Sequence, residues 1–130
     1  MGLDTGVYVK KTGIETIDKQ LKRIAYYVYD DSVEIAYWRK CWNVREAIGR
    51  ALGTFYDNGQ TNLDLCDINA IIKEMSKCNK HNWLHNGWDG SIWEWKEIKK
   101  HHRANIRRLR GLAKLKKKYP IIDVIYYDSY

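Results

Sequence analysis

Proline is nearly missing from this chain: Pro120 is the single one in 130 residues. With 45% hydrophobic residues, that scarcity excludes a disordered or proline-rich segment and argues for one folded domain, residues 1–130. Long apolar runs are missing as well; none approaches the ~20 residues that cross a bilayer. Residues 1–6 lack the basic and apolar regions of a signal peptide. Met1-Gly2 could open a myristoylation signal, but Gly6 stands where Ser or Thr is required. Three cysteines, an odd count without an export signal, exclude a disulfide scaffold and point to free thiols in a reducing compartment. Phosphate-loop and dinucleotide glycine patterns, internal repeats and low-complexity tracts are all absent. What remains is a soluble protein expected in a cytoplasm, with no membrane and no cofactor.

Acidic residues are scarce in one place above all. Residues 91–118 hold eleven Lys or Arg against Glu94 and Glu97, a segment charge of +9. The rest of the chain carries twelve basic and fourteen acidic residues, which leaves the total at +7. Ser91 and Glu94 have the spacing of a capping box, so a helix is predicted to start there. Ile92, Trp95, Ile98, His102, Ile106, Leu109, Leu112 and Ala113 then draw one apolar stripe at steps of three and four. Tyr119-Pro120 closes it, because proline disfavours helical geometry in the residue before it. At 1.5 Å per residue this rod is roughly 40 Å long.

Upstream, Val7–Lys10 reads as a strand, with Gly13 at its exit turn. Ile14, Ile17, Leu21 and Ile24 give a helix from Glu15 to about Ala25, while the Tyr- and Val-rich residues up to Tyr29 also suit a strand. Asp30-Asp31-Ser32 forms a turn and Val33–Trp38 a strand. A helix capped by Asn43 buries Val44, Ala47, Ile48, Ala51, Leu52 and Phe55 and stops at Asp57-Asn58-Gly59. A further helix capped by Asp67 buries Ile68, Ile71, Ile72 and Met75. Residues 79–90 have no sustained period and read as a structured loop. Ile121–Tyr127 is the most strand-like run and is predicted to be a central strand covered on both faces. The expected fold is α+β: a small, mainly antiparallel sheet packed by three or four helices, one of them long, basic and C-terminal.

Met1-Gly2-Leu3-Asp4, Tyr37-Trp38-Arg39-Lys40 and Tyr126-Tyr127-Asp128-Ser129-Tyr130 together resemble a family of small phage and prophage proteins. Its members open Met-Gly-Leu-Asp, carry Ala-Tyr-Trp-Arg-Lys before a helix and finish on a Tyr-x-Ser-aromatic strand. The following helix of the family shows an Ile-His pair, where Val44-Arg45 stand here. The resemblance implies a phage-encoded accessory protein acting in the host bacterial cytoplasm, and small proteins of that kind are often inhibitors of host defence.

For chemistry, Cys78, His81 and His85 have a C-x2-H-x3-H spacing, which Cys66 or His101 could complete as a zinc set. Hydrogen-bonded histidines are the more ordinary reading, since no second cysteine lies near Cys78. Cys41, beside Arg39 and Lys40, has no cysteine-enzyme signature around it, and catalysis is the least supported class. Binding has better support, because six Trp are more than one small core absorbs. Trp95 is expected inside and Trp93 nearer a surface or subunit contact. Aromatic rings stack on bases and Arg pairs with phosphate. The expected ligand set is therefore Tyr37, Trp38, Arg39, Lys40, Trp93, Lys99, Arg103 and Arg107, holding an anionic nucleotide such as a defence signal. Alternatives are an inhibitor of a host protein–nucleic acid defence complex and a plain RNA- or DNA-binding protein. Surplus aromatics also favour a homo-oligomer.

Overall fold

The structure, a computed structural model, describes residues 4–39, 42–53, 59–77 and 95–129. Within these, β1 (Asp4–Lys10), α1 (Glu15–Arg23), β2 (Tyr27–Val28), β3 (Ser32–Arg39), α2 (Trp42–Leu52), β4 (Gln60–Leu63), α3 (Leu65–Met75), α4 (Trp95–Lys118) and β5 (Val124–Ser129) follow one another. The strands form one antiparallel sheet in the order β2-β3-β1-β5-β4, so the fold is α+β as the sequence predicts.

Alternation along the strands separates two faces. Thr5, Val7, Val9, Val33, Trp38, Val124 and Tyr126 are buried on one. All but Thr5 join Ile17 and Leu21 of α1, Val44 and Ile48 of α2, Ile68 and Met75 of α3, and Ile106, Leu109 and Leu112 of α4 in a single apolar cluster. Asp4, Gly6, Tyr8, Glu34, Tyr37, Arg39 and Tyr127 belong to the opposite face. The register shifts after Val7, which pairs with Ala36 while Tyr8 pairs with Glu34. Ile35 is thus an extra residue in β3, a bulge that lets Ile35 and Ala36 both be buried.

Helix boundaries follow local chemistry that the sequence only partly discloses. Gly13, at φ +80°, makes the predicted turn into α1, and Asp18 accepts hydrogen bonds from Thr12 and Gly13 there. α2 begins at Trp42, which puts Asn43 inside the first turn and not at the cap. It ends at Leu52, five residues before the predicted Asp57-Asn58-Gly59 stop, because Gly53 takes the left-handed conformation at φ +74°. Phe55 lies outside the described residues. The cap of α3 is Asp64, and Asp67 is its third residue, closing a reciprocal capping box. Strand β4 was not foreseen: Gln60–Leu63 has one large apolar residue, and its partner β5 supplies the pairing.

The last strand is shorter and less central than its composition predicts. Ile121 is 61% exposed and lies before β5, in a turn that Lys116 holds through bonds to the carbonyls of Pro120 (2.7 Å) and Ile122 (2.6 Å). β1 is the central strand, and β5 sits between it and β4. The Ser91/Glu94 cap, Ile92 and the 79–90 segment lie outside the described residues, as do the side chains of Trp95 and Ile98. Among the described residues, no helix is long and apolar enough to cross a membrane.

Candidate nucleic-acid interface

Helix α4 has two polar sides with different tasks. Toward β3 it presents His101, Asn105 and Arg108. Short β2 pairs only with Val33 and Glu34, so among the described residues the rest of β3 has no neighbouring strand on that side. Asn105 replaces one: its Oδ1 accepts from the Tyr37 N–H (3.3 Å) and its Nδ2 donates to the Tyr37 carbonyl (2.9 Å). His101 Nε2 donates to the same carbonyl at 2.9 Å, and Arg108 Nε donates to the Ile35 carbonyl at 2.8 Å. Tyr26 packs over this seam, stacked on Tyr37, edge-on to His101 and under the Arg108 guanidinium. Burial lowers the His101 pKa, with a smaller contribution from Arg108, against the raising effect of its carbonyl bond. Arg108, one of the eleven cations, is therefore engaged with the sheet edge.

The outer side is different. At 3.6 residues per turn, Lys100, Arg103, Arg107, Arg110, Lys114 and Lys117 fall on one arc, opposite buried Leu109. All six are exposed, and no acidic residue of α4 shares the arc. None of the six forms an ion pair with another described residue. Successive members stand three or four residues apart, where like charges repel by a few tenths of a kcal/mol per pair. The stripe runs for about 25 Å along the helix. It is convex, and its dipole complement lies at its C-terminal end, where Lys116, Lys117 and Lys118 occupy the last turn.

The described members of the predicted ligand set do not share one face. Trp38 is fully buried on the helix-facing side, its ring 6.2 Å from that of buried His102, and offers nothing to a base. Tyr37 and Arg39 lie on the opposite sheet face, as strand alternation requires. The Tyr37 hydroxyl donates to Asp4 at 2.6 Å; burial and then Asp4 raise its pKa. Arg103 and Arg107 point away from β3 on the outer side of α4, and half-buried Lys99 borders them. Lys40, Trp93 and the Cys78, His81, His85 set lie outside the described residues. Among the described residues no cluster of three metal-ligating side chains occurs. Cys66 is exposed, and His101 is taken up by the Tyr37 carbonyl. Arg45 is only slightly exposed and lies 3.4 Å from buried Asp128.

Sequence reasoning missed one constellation on the open sheet face. A Cβ on Gly6 would lie 2.8 Å from the Tyr127 ring and hydroxyl and 2.9 Å from the Ala36 carbonyl. Glycine alone lets Tyr127 cross β1 and donate to Glu34 on β3, at 2.6 Å. Glu34 is 6% exposed, and burial pushes its pKa up to about 7 against the lowering effect of the Tyr127 bond. Burial and then Glu34 raise the Tyr127 hydroxyl in turn. The signal available beforehand was alternation, which sets Tyr127 on the face opposite Tyr126. Compared with known proteins, the chain matches no family model, no curated protein and no solved structure.

Proposed function

We propose that the chain is a non-enzymatic, phage-encoded accessory protein that binds the phosphate backbone of nucleic acid along the outer face of α4. The observation that carries this reading is the stripe of six exposed cations, Lys100 to Lys117, with no acidic neighbour on its arc. A convex row of charges about 25 Å long suits an extended polyanion better than a compact nucleotide. Capture of a small signalling nucleotide, the sequence expectation, needs a ring and several cations around one concavity. Buried Trp38 and the position of Arg39 on the sheet face opposite Trp38 count against that arrangement. The motifs shared with phage proteins support a role in countering host defence, with the nucleic acid of a defence complex as one target.

Fluorescence anisotropy with labelled single- and double-stranded 20-mers, from 50 to 300 mM salt, tests the interface. Backbone contact predicts that log affinity falls linearly with log salt, with a slope near −4 to −5 on duplex for about five phosphates. Arg103→Glu combined with Arg107→Glu should remove most of the affinity and flatten the slope. Salt-independent binding, or binding untouched by that double substitution, rejects the interface. Calorimetry with cyclic and linear nucleotides is the companion measurement, and a tight complex there would restore the compact-ligand reading.

A further inference from the structure

The open face of the sheet carries a basin of about 340 Å³, at the small end of the range for ligand sites. It is shallow and open, and it is lined by Tyr8, Tyr29 and Tyr127 together with Glu34, Asp31, Ser32 and Gln60. Tyr8 and Tyr127 stand 5.9 Å apart, tilted by 56°. Tyr29 is braced by Tyr27, with ring centroids 4.7 Å apart. The Glu34 carboxylate accepts a hydrogen bond from Tyr127 and forms no ion pair with any described residue. Among the described residues, no Lys, Arg or His lines the basin. In a molecule of net charge +7, acid and aromatic side chains stand together here.

Aromatic faces carry negative charge density and attract cations, most strongly when a carboxylate shares the site and water is partly excluded. We propose that this basin binds an alkylammonium or quaternary ammonium group, held against Tyr8, Tyr29 and Tyr127 with Glu34 as its counter-ion. The occupant is a small cation or the methylated ammonium of a lysine side chain, which share that chemistry. This site lies on the sheet, not on α4, and does not depend on the nucleic-acid reading.

The test is an NMR titration of the full chain at pH 8 with choline and with 3,3-dimethylbutan-1-ol, its uncharged isostere. Choline should shift the ring signals of Tyr8, Tyr29 and Tyr127 and bind at least about tenfold more tightly than the alcohol. Glu34→Gln and Tyr29→Ala should each weaken choline several-fold. Tyr29 is 52% exposed, so its removal leaves the fold intact and decides the matter should Glu34→Gln fail to fold. Equal affinity for choline and the alcohol overturns the proposal, as does a choline response unchanged by Tyr29→Ala or absent up to 100 mM. A peptide bearing trimethyl-lysine forms the third arm: tighter binding than choline identifies a modified protein as the source, and equal or weaker binding a free small cation.

Discussion

Thr5 sits in the central strand, fully buried, with a hydroxyl that finds no hydrogen-bond partner among the described residues. A buried, unpartnered hydroxyl costs about 1–3 kcal/mol of desolvation, and valine has nearly the same shape and a better strand preference. Thr5→Val should therefore stabilise the protein by about 1–2 kcal/mol in urea unfolding. Glu34 gives a residue-scale prediction in pH. Its folded pKa, near 7, lies above the ordinary 4.5, so the folded state holds the proton more tightly than the unfolded state. Its contribution is full below pH 4.5 and is lost as pH rises through 7, amounting to about 2 kcal/mol after allowance for partial solvation. His102 acts in the opposite sense: burial lowers its pKa to about 4, against its Met75 carbonyl bond, so acidification below 6.5 costs stability. The two offset each other between about pH 4.5 and 6.5. Glu34→Gln should unmask the histidine, giving a protein that loses stability on acidification across that window and gains relative to the parent above pH 7. Equilibrium unfolding of both proteins across pH 4–8 checks this.

At the scale of elements, the seam between α4 and β3 matters most. Asn105 is fully buried and serves both backbone groups of Tyr37, so Asn105→Ala strands a donor and loosens an acceptor. The expected cost is about 2–4 kcal/mol in chemical denaturation, and amide exchange at Tyr37 should accelerate more than at Val7 or Val9. Nothing in the local sequence announces this role. The pattern around Asn105 marks a helix with an apolar stripe, and the stripe was legible: His102, Ile106, Leu109 and Leu112 are all buried. That Asn105 and Arg108 would meet a strand edge depends on β2 being only two residues long, which is a property of the pairing. The same limit applies to β4, whose Gln-Thr-Asn-Leu becomes a strand because β5 is beside it. In Tyr37-Trp38-Arg39 the alternation was readable, yet adjacency in sequence grouped three side chains that a strand must divide between two faces. Asp67, predicted as the cap of α3, is its third residue, because the reciprocal bonds between it and Asp64 set the cap three residues earlier.

Across the whole molecule, the charge stripe sets stability against binding. Arg107 has Arg103 one turn before it and Arg110 one turn after, both like-charged and exposed. Arg107→Glu turns two repulsions into two attractions and should raise stability by about 0.5–1 kcal/mol at low salt, while weakening affinity for polyanions. Adding salt should raise the melting temperature of the parent and have less effect on the variant, because screening relieves the same repulsion. Calorimetric melting at 20 and 300 mM NaCl measures both. The sheet order has its own bearing on how the chain is made. β1 leaves the ribosome early, yet one of its two flanking strands, β5, is encoded more than a hundred residues later. That edge of β1 stays unpaired until Val124–Ser129 has been made and has cleared the exit tunnel, and only then can the cooperative fold close.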